Sequence, residues 1–160
     1  MHSNIYEVSK QPIPESGYMK VDDLPMWFFA DTADYASEVP AERRSQEIDW
    51  LNDGFYGLCA RNGDELVFDP GILGKIFLRK HSRFEIAAKL AGATYEAFIG
   101  GSGSESLLYS LIDLKEAYDD GYGFYIYDRD EDELLTLDTW LRTANLTRHW
   151  FVGGIIDYHW

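Results

Sequence analysis

The sequence predicts an α+β fold: a single domain over residues 1–160, with a mainly antiparallel sheet and several packed helices. Three observations predict it. Short runs of β-branched and aromatic residues are bounded by turn residues, as in 122–128 and 148–158. Other stretches place apolar residues three and four apart, as at Leu107, Leu108, Leu111, Ile112 and Leu114. The two kinds succeed each other without the regular strand–helix alternation of a parallel sheet. A chain of this length buries about 70% of the surface its unfolded form exposes, enough for a core without disulfide or metal.

Residues 5–9 read as a first strand, and 11–18, with Pro12, Pro14 and Gly17, as a loop. Asp22 or Asp23 is placed to cap a helix with Pro25 in its first turn and Trp27, Ala30 and Tyr35 along one face. Pro40 opens a second helix, with Glu42 near its positive end, Ile48 and Leu51 three apart, and Gly54 as its stop. Residues 55–60 and 65–68 flank Asn62-Gly63, a hairpin signal because both turn residues accept positive φ. Asp69-Pro70-Gly71 ends the second run. Residues 72–80 read as a helix. Ser82 and Glu85 fit a capping box for another, which carries Phe84, Ala87, Ala88 and Ala91 and stops at Gly92. Residues 100–104 form a Gly-Ser loop, and Ser102 with Glu105 repeats the capping box ahead of a helix to about 118. The strand 122–128 meets a partner at 134–137 across an acidic turn, and Asp138 caps a short helix through Trp140 and Leu141. In the last strand, 148–158, Gly153-Gly154 marks a bulge or a close backbone approach.

Charge narrows the function classes. The chain has 28 Asp and Glu against 14 Lys and Arg, a net charge of −14. Ten of those carboxylates and two bases fall within residues 113–138, interleaved with tyrosines. A folded surface of that sign repels nucleic acid and membranes and attracts basic proteins. The five Trp, 11 Tyr and 9 Phe divide between a large aromatic core and surface positions that favour protein recognition. The single cysteine, Cys59, rules out a disulfide within the chain; it reads as a small buried hydrophobe in a reducing compartment. The first residues lack the basic and apolar segments of a signal peptide, and no apolar run reaches membrane-spanning length, so a cytoplasmic location is expected.

Local motifs do not add a catalytic centre. Asp128, Asp130 and Asp132 place carboxylates at alternate positions, as hard cations need, but an EF-hand would want Gly and Glu where Glu133 and Thr139 stand. The strand followed by Asp-x-Asp resembles metal-binding turns of sugar transferases and of phosphatases with an aspartyl nucleophile. The phosphatase pattern, however, needs Thr or Val where the chain has Asp132. The competing reading is a solvated turn whose charge blocks edge pairing. Residues 100–106 lack the Lys-Ser/Thr of a P-loop and the spacing of a nucleophile elbow. No two of His2, His81, His149 and His159 stand four apart, as a helical zinc site requires. Lys75, Arg79, Lys80, Arg83 and Lys89 form one basic patch with Glu85, suited to pairing within the molecule or to a homodimer in which it meets the acidic segment of a second copy.

These features favour a non-enzymatic binding protein without cofactor. Its partner is a basic protein, such as a nucleic-acid-binding enzyme whose Lys/Arg-lined groove it would occupy. The candidate contact residues are Asp119, Asp120, Asp128, Asp130, Glu131, Asp132 and Glu133, with Tyr122, Tyr125 and Tyr127 as anchors. In charge and size alone the chain resembles acidic anti-restriction and anti-CRISPR inhibitors, nucleic-acid mimics among them, and toxin-immunity proteins. The alternative is a small divalent-metal enzyme built on Asp128, Asp130 and Asp132, or a carbohydrate- or ligand-binding domain with acids in an aromatic groove. Along an alternating strand Tyr125 and Tyr127 share a face and Tyr122 takes the other.

Overall fold

A computed structural model describes residues 2–92, 94–96, 109, 111–112, 114–115 and 123–160. The chain divides into two compact units, residues 1–73 with 122–160, and residues 74–121. The first holds a mixed seven-stranded sheet, so the α+β expectation is met.

Strand β7 (Trp150–His159) is the spine of the sheet. It pairs antiparallel with β1 (His2–Ser9) from His2↔His159 to Ser9↔Phe151. Its other edge is shared end to end by two short strands. β4 (Glu65–Phe68) takes Trp150 and Phe151, and β2 (Tyr35–Glu38) takes Ile156 to His159. β3 (Cys59–Asn62) pairs outside β4. On the far side, β5 (Tyr125–Asp128) runs parallel to β1, and β6 (Glu133–Thr136) pairs antiparallel with β5. Pairing on both edges explains why β1 is buried from Ser3 to Ser9, although Ser3, Asn4, Glu7 and Ser9 are polar.

Two layers cover the sheet. On one face Ile5, Tyr125, Ile156 and Tyr158 pack with Met19, Leu24, Phe28 and Ala33. These come from a segment with two 3-10 turns (Glu15–Gly17 and Val21–Asp23) and α1 (Met26–Asp31). Phe28 meets Tyr125 and Tyr158 edge to face at 5.2 and 5.1 Å. Elsewhere in this unit α2 (Ala41–Gly54) buries Ile48 and Leu51, and α4 (Leu137–Thr143) buries Trp140 and Leu141. Trp140 packs on Trp150 at 5.0 Å. The intervening helix, α3 (Ile72–Ala91), begins at the end of this unit and continues into the second.

Several sequence expectations are corrected. Pro25 occupies the N-cap position of α1 and no Asp side chain caps it; the helix ends at Asp31, and Tyr35 opens β2 instead of extending the helix. The hairpin turn is Gly63-Asp64 and not Asn62-Gly63, since Asn62 pairs with Glu65 and Gly63 alone of these takes a positive φ, 62°. Residues 55–58 turn instead of entering the strand; Tyr56 and Gly57 are left-handed at 55° and 76°. Residues 72–91 form one helix, and the Ser82 hydroxyl donates back to the Leu78 carbonyl at 3.0 Å instead of capping a new one. Thr136, not Asp138, caps α4 by accepting from the Thr139 N–H. The Gly-Ser loop at 100–104 lies outside the described residues; Tyr109, Leu111, Ile112, Leu114 and Lys115 are helical, as expected. Among the described residues no helix is long and apolar enough to cross a membrane.

Candidate functional site

The β5–β6 hairpin carries all of the described candidate residues. Register pairs Asp128 with Glu133, leaving residues 129–132 as the turn. Asp132 is left-handed at φ 56°, a conformation a short polar side chain accepts more readily than most. Asp130, Glu131, Asp132 and Glu133 are all exposed.

Each acid of the turn has a separate destination. Asp128 is buried; it accepts the Trp140 indole N–H at 3.1 Å and the Asp130 N–H at 3.1 Å. Asp130 accepts the Lys10 backbone N–H at 2.7 Å and the Ser9 hydroxyl at 3.2 Å, tying the turn to the end of β1. Glu131 pairs with the Lys10 ammonium at 2.8 Å, which raises the Lys10 pKa above its ordinary value. Asp132 accepts the Tyr127 hydroxyl at 2.5 Å. The carboxylates of the trio proposed for a metal are therefore each turned to different partners. Among the described residues no three His, Cys, Asp or Glu side chains gather as a metal set.

Two proposed contact residues are buried: Tyr125 is 5% exposed and Asp128 4%, Asp128 lining the cleft beside the turn. They are the first and last residues of β5, where alternation fixes the face but not the depth. Tyr127 is half-buried. Asp119, Asp120 and Tyr122 lie outside the described residues. The basic residues from Lys75 to Lys89 are carried by α3 alone, with Lys75, Arg79 and Arg83 at successive fourth positions on one face.

A deeper polar centre was missed. Glu7, in the middle of β1, is 1% exposed. One carboxylate oxygen accepts the backbone N–H groups of Met19 at 2.9 Å and Gly154 at 2.7 Å. The other pairs with Arg129 at 2.8 Å, and Arg129 also donates to the Gly17 carbonyl at 2.5 Å. The β1–β7 register slips between Tyr6 and Val8, so Glu7 stands opposite Gly153-Gly154. A Cβ on Gly153 would strike the Glu7 carboxylate, and one on Gly154 would come 2.7 Å from the Met19 carbonyl oxygen. The glycine pair announced that close approach; nothing local announced its occupant.

Among the described residues, two clefts of this unit bear on the candidate site. One, of about 440 Å³, lies beside the acidic turn between Lys10, Glu131, Glu133, Asn145 and Trp150, with the Lys10 ammonium 5.6 Å from a Trp150 ring centroid. The other, of about 450 Å³, is walled by Asn4, Glu47, Trp50, Arg43, His2 and Asp157. There the buried Glu47 carboxylate accepts from Asn4 at 2.8 Å and Arg43 at 2.6 Å, and the Tyr6 hydroxyl donates to the Glu47 carbonyl at 2.9 Å. Trp50 is half-exposed and rests edge-on against Phe124. These residues come from β1, α2 and β7, so no stretch of sequence held them together. Each histidine has a carboxylate beside it: His2 Asp157, His81 Glu85, His149 Glu65 and His159 Asp34.

Compared with known families, characterised proteins and solved structures, the chain matches none.

Proposed function

We propose that this protein is a non-enzymatic acidic binding protein that covers the basic face of a partner, one that handles nucleic acid. The observation that supports this reading is the segregation of charge. Residues 1–73 and 122–160 hold 21 of the 28 acidic side chains and 8 of the 14 basic ones. Within that unit Lys10, Arg43, Arg44, Arg61 and Arg129 are each already engaged by a carboxylate. What the unit offers outward is negative, on a sheet scaffold that holds its charges at fixed spacing. A groove that grips phosphates through Lys and Arg meets the same sign of charge on such a surface. Long-range attraction then raises the encounter rate.

Immobilised protein is expected to retain Lys/Arg-rich nucleic-acid-binding proteins from a lysate. It should release them when duplex DNA or RNA competes, and when KCl rises from about 0.1 M to about 1 M, where the Debye length falls from about 10 Å to about 3 Å. Retention indifferent to both overturns the reading.

A second reading is favoured by the cleft at Trp50, where an aromatic wall stands over the polar groups of Asn4, Glu47 and Asp157. That combination suits a small polar ligand such as a sugar. Titration with mono- and oligosaccharides would then perturb tryptophan fluorescence in the native chain and not in Trp50→Phe.

A further inference from the structure

We infer that the outward face of α1 is the docking site for a cationic amphipathic segment of the partner protein. This rests on the acidic-binder reading above and gives it a location.

α1 has six residues, Met-Trp-Phe-Phe-Ala-Asp, and buries one of them, Phe28. Successive residues turn by about 100°, so the direction opposite Phe28 is taken by Met26 and Ala30, with Trp27 and Phe29 to either side. Met26 is 88% exposed, Trp27 44% and Phe29 39%. Tyr35, just beyond, is 61% exposed. A helix that anchors itself through one phenylalanine and presents Met, Trp and Phe to water has the composition of an interface centre.

Charge says what covers it. From Val21 to Glu42 there are six carboxylates, Asp22, Asp23, Asp31, Asp34, Glu38 and Glu42, and no Lys, Arg or His. Asp22 and Asp23 precede the helix and Asp31 and Asp34 end and follow it, all exposed. Asp22 and Asp31 make no ion pair or side-chain hydrogen bond among the described residues, whereas Asp34 accepts from His159 at 2.8 Å. An apolar centre with carboxylates at both ends matches a segment whose apolar side chains are flanked by Lys or Arg. The same rim repels the anionic surface of a membrane. The acidic field also extends toward the β5–β6 turn, since the Asp23 and Asp132 charges both bear on the Tyr127 hydroxyl.

The test measures binding of a labelled helical Leu/Lys peptide by fluorescence anisotropy. Its controls are a Leu/Glu peptide with the same apolar spacing and oligolysine. The Leu/Lys peptide is expected to bind best. Met26→Ser with Trp27→Ser should weaken it at least tenfold and leave oligolysine unchanged. Asp22→Asn with Asp31→Asn should weaken it and flatten its salt dependence; both pairs are exposed, and thermal melts confirm folding. Binding that ignores both pairs but is lost in Glu131→Gln with Glu133→Gln overturns the α1 site and leaves the acidic-binder reading standing. Failure of every cationic probe overturns both. A dimer of this chain that dissociates in Met26→Ser with Trp27→Ser makes the patch a self-interface and also overturns the proposal.

Discussion

The Tyr127 hydroxyl gives its proton to a 2.5 Å hydrogen bond with Asp132. That bond, with partial burial and the charges of Asp132, Glu7 and Asp23, pushes its pKa up to about 12. The protonated phenol is the form the fold favours. Its contribution to stability is therefore complete below pH 10, the ordinary tyrosine value, and is lost as pH rises through about 12. The difference in tyrosinate absorbance between native chain and Tyr127→Phe should titrate near 12, and Asp132→Asn should bring it down toward 10. A Tyr127 step at 10 in the native chain would show that the bond does not hold in solution. Strand alternation places Tyr125 and Tyr127 on one face, and both pack in the same core cluster. Depth was not legible: Tyr125 is sealed by Phe28 and Tyr158 from distant segments, while Tyr127, on the same face, stays half-buried with its hydroxyl on Asp132 of the turn. Cys59 was legible, since a thiol in an apolar run buries; burial pushes its pKa up to about 12, well away from thiolate chemistry.

β7 poses a problem that two short strands do not solve alone. β4 covers its first two residues and β2 its last four, so the carbonyls of Val152 and Gly153 fall at the gap. Arg44, from α2, fills it. Its guanidinium donates to the Val152 carbonyl at 2.5 Å and to the Gly153 carbonyl at 2.9 and 3.1 Å, pairs with Asp64, and lies over the Tyr18 ring. Arg44→Ala leaves two partly buried carbonyls without a donor and should cost about 2–4 kcal/mol in urea unfolding. Arg44→Lys should restore little, because a point ammonium cannot reproduce a planar fork that reaches two carbonyls and a carboxylate together. Full rescue by Lys would reduce Arg44 to a surface charge. The helix itself was readable from Pro40, Ile48, Leu51 and Gly54, and the bulge from its paired glycines. β2 was not, because Tyr-Ala-Ser-Glu has no apolar alternation and is held by its edge position on β7. The break expected at Ser82 failed for a related reason: a Ser three residues before a Glu signals a cap only if the chain upstream is not already helical.

Across the molecule, the net charge was plain in the sequence and its distribution was not. Counting along the chain located the acid at residues 113–138, yet the sheet unit gathers 21 carboxylates from both ends of the sequence, those of residues 21–42 included. Contacts between distant segments decide this, and no window along the chain measures it. The consequence is a fold formed against its own charge. Among the described residues Lys10, Arg43, Arg44, Arg61 and Arg129 each sit in an ion pair with one carboxylate, and the unit's 21 acids still outnumber its eight basic side chains. Exposed pairs of this kind contribute about 0–1 kcal/mol each, whereas repulsion accumulates over every pair of like charges within a Debye length. Raising KCl from about 0.01 M to about 0.15 M shortens that length from about 30 Å to about 8 Å, so the repulsion weakens more than the close pairs do. Stability should therefore rise with salt, by on the order of 1 kcal/mol, or about 2–4 °C in Tm for a chain of this size. Asp22→Asn with Asp31→Asn, which removes two unpaired charges without touching the core, should raise Tm at low salt and lose that advantage at high salt. A Tm that falls as KCl is added would mean that the local pairs outweigh the collective field, and would take with it the long-range attraction on which docking of a basic partner depends.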